Sequence, residues 1–191
     1  MDSSSPDLFR AASRGAPEAL DAWFRSEHPG VYRLCLGFLA DAGEAEDVAQ
    51  EAMLHLLDQH GAYDASRPYP TWRDSVVLNR CRDRLRRNAA RERAHAGAAD
   101  RVSSTAESDP HAELEQREVQ AILMESLSAL SPREREVFVL RDLEERSTTE
   151  SAATLGVGQS TVRSLLTLAR RRLRGVLEQR LPGISGEESH G

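Results

Sequence analysis

The segment DAGEAEDVAQEAMLHLL, residues 41–57, decides the fold because it has the pattern of an amphipathic helix with two unlike faces. Asp41 can cap the first turn, and Glu44 follows three residues later in a capping-box arrangement. The apolar residues recur at helical spacing and form one stripe: Ala45, Val48, Ala49, Ala52, Met53 and Leu56. The pattern predicts one helix that packs this stripe against other helices.

Acidic side chains gather on another face of the predicted helix. Glu44, Asp47 and Glu51 lie three and four residues apart, so their like charges are neighbours, and the segment contains no Lys or Arg. Two interpretations remain open from these residues alone. The first is a solvated surface helix whose first-turn acids interact favourably with the helix dipole, and the second is a docking face for a basic partner.

The composition favours small helical domains for the rest of the chain. Of the 191 residues, 29% are charged and only 5% are aromatic, which suits helical units better than one large core or a β-sandwich. We therefore predict an all-α protein with two small helical domains joined by a flexible linker. The predicted ranges are 7–94 for the first domain, 95–111 for the linker and 112–181 for the second domain, with disordered tails at 1–6 and 182–191.

Charge is distributed unevenly, which keeps nucleic acid open as a partner although the net charge is −6. Residues 1–60 carry eleven acids and four arginines, whereas residues 72–93 carry eight arginines and three acids. The two cysteines are isolated, and we expect neither a metal nor a cofactor because no Cys/His cluster has zinc-ligand spacing. With no secretory signal and no apolar run of ~18 residues, we expect a cytoplasmic protein without membrane insertion.

Two further stretches of the N-terminal half have helical patterns. Residues 7–39 are predicted to form two helices, punctuated at residues 15–17 and at His28-Pro29-Gly30. After the acidic helix, a loop over residues 59–70 leads into a basic helix that Thr71 opens. Tyrosines and small polar groups in this loop can stack on and read an unpaired base, although tyrosines folded onto the core are an equally good interpretation. The arginines of the basic helix can bind backbone phosphates, or they can cover a charged, solvated face.

The C-terminal part has sharper helix boundaries. Ser131 precedes Pro132 at a helix start, and Ser147-Thr-Thr-Glu150 forms a second one as a capping box. A short helix, a turn at residues 156–158 and a longer helix to about Gln179 predict a helix-turn-helix. The longer helix would meet base edges near its N-terminus. A helical hairpin packed on its neighbour is the alternative.

The order of these segments resembles bacterial RNA polymerase sigma factors of the extracytoplasmic-function type over residues 20–181. Residues 45–51, AEDVAQE, are similar to the region-two helix that docks on the polymerase clamp. The spacing of the residues on the basic helix is similar to that of the next helix of region two, and it is set by Trp72, Asn79, Asp83 and residues 85–87. Residues 130–143 resemble the start of region four, and residues 156–174 resemble its helix-turn-helix. Each motif alone is modest, but four motifs in the right order are specific.

The resemblance implies three sets of binding residues and no catalytic residue. The set implied for polymerase binding is Glu46, Asp47, Gln50 and Glu51. The set implied for the −10 element is Tyr63, Asp64, Ser66, Arg67, Tyr69, Trp72, Asn79, Arg80, Arg84 and Arg87. The set implied for the −35 element is Gln159, Ser160, Thr161, Arg163, Ser164 and Arg170.

The same resemblance implies the partners. They are core RNA polymerase, through its clamp and flap regions, promoter DNA and an anti-sigma factor, with no small-molecule substrate. The protein would be cytoplasmic and would join the nucleoid when bound to polymerase. Some residues depart from the family pattern: Ser151 and Arg146 replace apolar residues, and Leu165, Thr167 and Leu168 stand where basic residues are usual. These departures predict weaker phosphate binding by region four.

Two other functional classes explain less of the sequence. An autonomous helix-turn-helix regulator, which binds duplex DNA without polymerase, is the alternative; it explains residues 131–180 but leaves the acidic helix and residues 72–87 unexplained. A hydrolase or nuclease is disfavoured. Glu51 and His55 share a helix face, but the sequence has no HExxH, no Gly-rich phosphate loop and no G-x-S-x-G.

Overall fold

A computed structural model describes residues 5–94 and 121–180, and every regular element in those two ranges is helical. The predicted all-α class with two helical domains is therefore confirmed. The helices of the first range are α1 (Ser5–Ala12), α2 (Pro17–Leu39), α3 (Ala42–Asp58) and α4 (Tyr69–Ala94), with a short 3₁₀ turn at His60–Ala62. Those of the second range are α5 (121–128), α6 (Pro132–Phe138), which continues as a π turn at Val139–Leu143, α7 (Thr148–Leu155) and α8 (Gln159–Arg180).

The chain separates into two compact units, one holding residues 5–94 and the other most of residues 121–180. The predicted linker at 95–111, the tail at 182–191 and most of the tail at 1–6 lie outside the described residues. The last two residues of the N-terminal tail, Ser5 and Pro6, were assigned wrongly because they form the start of α1. The domain boundaries themselves remain predictions.

The apolar stripe of α3 is buried as predicted. All six of its residues have no exposed surface and face the neighbouring helices α2 and α4. Asp41 caps this helix by accepting a hydrogen bond from the Glu44 backbone N–H at 2.8 Å. Ala40, which joins α2 to α3, has a left-handed backbone with φ of +55°, and its N–H bonds to the Leu36 carbonyl.

The predicted interruption at His28–Gly30 is wrong, because α2 continues through Pro29. Proline normally breaks a helix since it removes one hydrogen bond and crowds the preceding turn. Here buried side chains lie on one side of the helix both before and after the proline. Trp23 and Glu27 precede it, and Val31 follows it, all with 2% exposure or less. Their burial outweighs the local cost.

A buried ion-pair triad ties α2 to α4. Arg73 Nη1 lies 2.6 Å from Glu27 Oε2, and Arg73 Nη2 lies 2.7 Å from Asp74 Oδ1. Burial alone lowers the pKa of Arg73, but the two carboxylates raise it above its ordinary value. The sequence pattern placed Arg73 among the basic surface residues, whereas its charge is satisfied inside the N-terminal unit. Breaking such a triad strands a buried charge.

The helix starts of the C-terminal unit follow the sequence closely. Capping boxes at Ser131–Glu134 and Ser147–Glu150 are both complete, with each serine and glutamate bonded reciprocally. Gly156 ends α7 in the left-handed conformation, φ of +67°, as a helix C-cap requires. Val162, Leu166, Ala169 and Leu173 form the buried face of α8.

We expect Ser151→Ala to raise the free energy of unfolding by about 1 kcal/mol. Ser151 lies inside α7 with no exposed surface, and its hydroxyl has no hydrogen-bond partner among the described residues. Alanine removes this unsatisfied group without adding volume and also favours the helix. Urea unfolding of the full chain measures the change. The control is Ser128→Ala, at an exposed serine whose hydroxyl donates to the Met124 carbonyl at 2.8 Å. A loss of stability in the Ser151 variant would contradict the expectation.

Candidate functional site

The acidic face of α3, defined as Glu46, Asp47, Gln50 and Glu51, lies on the solvent side of the helix. Asp47 is 70% exposed and Glu51 is 48% exposed. Glu46 accepts a hydrogen bond from the Gln50 amide at 2.9 Å, and its carboxylate lies 3.6 Å from His28 of α2. All four residues predicted to bind polymerase therefore share one accessible surface.

Arg84 of α4 reaches across to this surface. Its Nη1 donates to Glu44 Oε2 at 2.6 Å, its Nη2 donates to Glu51 Oε1 at 2.8 Å, and Nη1 lies 3.7 Å from Asp47 Oδ2. Burial alone lowers the pKa of Arg84, but the hydrogen bonds and charges of Glu44 and Glu51 raise it. Arg84 was predicted as a −10 contact, and the structure places it among carboxylates instead. Because the Glu44 carboxylate accepts from Arg84, it does not form the second bond of the predicted capping box, to the backbone N–H of Asp41.

The sequence pattern missed an apolar residue on the same face. Leu54 is 65% exposed and lies one turn beyond Gln50 and Glu51. It borders a groove of about 380 Å³, whose other apolar walls include Leu20, Phe24 and Leu57. The sequence does contain a signal for this position. Leu54 lies three residues after Glu51 and four after Gln50, and it is not part of the buried stripe, so it belongs to the same face of the helix.

The loop between α3 and α4 presents polar groups outward. Asp64 accepts hydrogen bonds from the Ser66 backbone N–H at 2.9 Å and from the Ser66 hydroxyl at 2.7 Å. The hydroxyl bond and then the backbone bond lower the pKa of Asp64. Arg67 is exposed on the same turn, and its N–H bonds to the Asp64 carbonyl. Asp64, Ser66 and Arg67 therefore form one exposed turn.

Two aromatic residues assigned to the −10 set lie in the core. Tyr69 is 2% exposed and Trp72 is 9% exposed. The Trp23 indole N–H donates to the Tyr69 hydroxyl at 3.0 Å, and burial raises the pKa of Tyr69 above its ordinary value. The rings of Phe9 and Tyr63 each pack against both of these residues, and Tyr63 is half-buried. Of the two interpretations left open for the tyrosines, core packing describes Tyr69.

The remaining residues of the −10 set lie along α4. Asn79 and Arg87 are exposed, and Arg80 is half-buried. Burial and, after it, the charge of Arg80 lower the pKa of His55 on α3. The helix begins at Tyr69, so the prediction that Thr71 opens it is wrong by two residues.

The residues assigned to the −35 set are all exposed on α8. Five of them occupy its first two turns: Gln159, Ser160, Thr161, Arg163 and Ser164. Arg163 donates to the Gln159 side chain at 3.3 Å. Arg170 instead makes two hydrogen bonds, of 2.8 and 2.6 Å, to Asp142 in the π turn. These bonds raise the pKa of Arg170 and tie α8 to the preceding element.

Leu168 lies on the exposed side of α8, four residues after Ser164. It is 38% exposed, whereas the buried side of the helix holds Leu166 and Ala169. Within residues 5–94 and 121–180, no group of three His, Cys, Asp or Glu side chains could hold a metal ion. In the same ranges, no helix is both long and apolar enough to cross a membrane.

Two family descriptions match the chain in the order of its two units. Residues 23–91 match sigma-70 region 2, and residues 120–173 match sigma-70 region 4. SigL of Mycobacterium tuberculosis, an ECF RNA polymerase sigma factor, is 32% identical over 176 residues, 90% of this chain and 97% of the relative. SigM of the same species is 28% identical over 186 residues, 95% and 89% of the two chains.

Solved structures show the same fold. RpoE of Bartonella quintana, crystallised with the anti-sigma factor NepR, aligns with a TM-score of 0.68 at 18% identity, covering 83% of this chain and 96% of the other. CnrH, in complex with the cytosolic domain of CnrY, aligns with a TM-score of 0.66 at 21% identity, covering 90% and 96%.

We expect Tyr69→Phe to lower the free energy of unfolding by about 1–3 kcal/mol, because the buried Trp23 N–H loses its acceptor. Thermal unfolding followed by tryptophan fluorescence measures this loss. The control is Tyr63→Phe, because the Tyr63 hydroxyl makes only a 3.4 Å contact with the exposed Arg67 carbonyl. Equal stability of the Tyr69 variant and the wild type would refute the core assignment.

Proposed function

The chain belongs to the RNA polymerase sigma factors of the extracytoplasmic-function type, and we propose which of its surfaces perform the work of that family. A sigma factor binds core RNA polymerase and directs initiation at promoters. The acidic face of α3 would dock on polymerase, the loop and α4 would read the −10 element, and α8 would read the −35 element. We propose that the protein acts by binding alone and has no reaction of its own.

The acidic face with Leu54 supports the docking assignment. Three carboxylates and an exposed leucine on one rigid helix suit a partner surface that is basic around an apolar contact. The Asp47 side chain is 70% exposed and Leu54 is 65% exposed. We propose that they lie at its centre and that Glu46, Gln50 and Glu51 surround them.

The exposed turn at Asp64, Ser66 and Arg67 supports the −10 assignment. Its side chains offer both donors and acceptors for the edge of an unpaired base. Asn79, Arg80 and Arg87 would follow the unpaired strand along α4. Because these groups would bind splayed bases and not closed duplex, they would shift the opening equilibrium of the promoter.

The first two turns of α8 support the −35 assignment. Gln, Ser, Thr and Arg side chains at the N-terminus of a second helix can reach base edges in the major groove. Arg170, held by Asp142, would orient the helix and would not read bases. The autonomous regulator is not favoured, because it leaves the region 2 match and the acidic face without a role.

Anti-sigma control is proposed from the solved relatives. RpoE was crystallised with an anti-sigma factor, and we propose that this chain also answers to one. It would act in the cytoplasm, where polymerase meets promoter DNA, and would join the nucleoid as part of the holoenzyme.

The match to both sigma regions over one chain carries the proposal, and run-off transcription tests it. Purified core polymerase of the host would be supplied with a genomic template library from the same host, with and without the protein. We expect new, discrete start sites only in its presence.

Asp47→Arg should weaken core binding at least tenfold, since it reverses an exposed charge at the centre of the docking face.

The matched control is Glu18→Arg, which makes the same charge change at an exposed position of α2. We expect it to bind core as the wild type does. No new start sites together with no binding to core would overturn the proposed function. Equal losses in both variants would refute the docking face while leaving the sigma function intact.

We expect Leu168→Arg to strengthen binding of the holoenzyme to −35 DNA. An added phosphate contact should steepen the dependence of log affinity on log salt by about 0.9. Binding would be measured at several salt concentrations on one of the promoters found by run-off transcription. Leu123→Arg is the control, because Leu123 is similarly exposed, 39% against 38%, but lies on α5. An equal effect in both variants would contradict a DNA-facing position for residue 168.

A further inference from the structure

One arginine joins the helix proposed to bind polymerase to the helix proposed to bind the −10 strand. The two strong hydrogen bonds of Arg84, to Glu44 and Glu51, span 40 and 33 residues of sequence. Its side chain is only 13% exposed, while the carboxylates that it holds are 33% and 48% exposed. The guanidinium therefore lies beneath the acidic face, and the carboxylates lie between it and solvent.

This geometry is unsuited to a phosphate contact. A phosphate at Arg84 would have to displace two carboxylates that already bind separate guanidinium nitrogens, and it would approach the charges of Asp47 and Glu51. Like charges at such distances repel. Arg86, two residues along α4, is 71% exposed and pairs with its near neighbour Asp83. Arg86 is therefore open to solvent on α4, whereas Arg84 is held by the carboxylates of α3.

We propose that Arg84 is a positioning residue for polymerase docking and not a DNA contact; this inference rests on the proposed function. Glu44, Asp47 and Glu51 repel one another on a single helix face. Arg84 offsets that repulsion and fixes one oxygen of Glu51, so that the other oxygen is held ready for a basic group of polymerase. A fork with two separate donors is needed because the two carboxylates lie on different turns of α3.

The two possible roles of Arg84 predict different responses of the transcription defect of Arg84→Met to the concentration of core polymerase. If Arg84 orders the docking face, Arg84→Met weakens core binding, and enough core polymerase restores transcription to the wild-type level. If Arg84 contacts DNA, core binding is unchanged and the transcription defect persists at saturating core. Methionine keeps the apolar stem of the side chain and removes only the charged fork.

The experiment titrates core RNA polymerase against wild type, Arg84→Met and Arg84→Lys at the start sites that the wild type defines. A parallel competition assay with fluorescently labelled wild-type protein reports core affinity directly. We expect the half-maximal core concentration to rise about tenfold for Arg84→Met, with an unchanged plateau. Arg84→Lys should recover part of the loss, because one ammonium cannot serve both carboxylates equally.

Two controls separate positioning from folding. Arg86→Met removes the same charge from an exposed site on the same helix, and its core affinity should equal that of the wild type. In a Glu51→Gln background, adding Arg84→Met should cost far less than it does alone, since the arginine acts through that carboxylate. Additive losses, or a lowered plateau at saturating core, would overturn the inference. A wild-type protein that neither binds core nor starts transcription would instead overturn the proposed function.

Discussion

The buried guanidinium of Arg73 is the interaction on which the N-terminal unit depends. It joins Glu27 of α2 to Asp74 of α4 with side chains that are almost wholly removed from water. Since a charge in such a place must be paired, the triad fixes how α4 is rotated about its axis. Arg80 and Arg84 follow at seven and eleven residues, close to two and three helical turns, and therefore lie on the same side as Arg73. One constraint in the core thus helps to place Arg84 beside the acids of α3.

This rotation changes the interpretation of a basic helix. Counting arginines between residues 72 and 93 predicts a positive surface, and the net excess is real. Yet Arg73 and Arg84 carry charges that are already satisfied by acids of α2 and α3. The polar surface of α4 left for nucleic acid is narrower than the sequence suggests, and it includes Asn79, Arg80, Arg86, Arg87 and the exposed turn before α4. Electrostatics within the unit therefore determine which cations remain for a partner.

Local signals in the sequence predicted the fold well. The caps at Asp41, Ser131 and Ser147 depend on residues three positions apart, so each could be found without tertiary information. The errors arose where residues far apart in the sequence determine the local structure or the burial of a side chain. The continuation of α2 through Pro29 depends on burial against other helices, and the core position of Tyr69 depends on a bond to Trp23, 46 residues away. Likewise, only the folded chain shows that Arg84 meets Glu44. The sequence thus predicted which residues of α3 share one exposed face, but not which side chains of α4 are buried or paired, and the binding roles stay predictions.

Phe9 of α1 contacts each of the four large rings around it, with centroid distances of 5.7 Å to Trp23, 6.0 Å to Tyr63, 5.2 Å to Tyr69 and 5.4 Å to Trp72. Those rings come from α2, the loop and α4, so a helix of eight residues covers the junction of three segments. A chain that began at residue 13 would leave the four rings open to water as one aromatic patch, a surface that promotes self-association. The first short helix therefore protects solubility, and N-terminal trimming should be avoided when the protein is prepared.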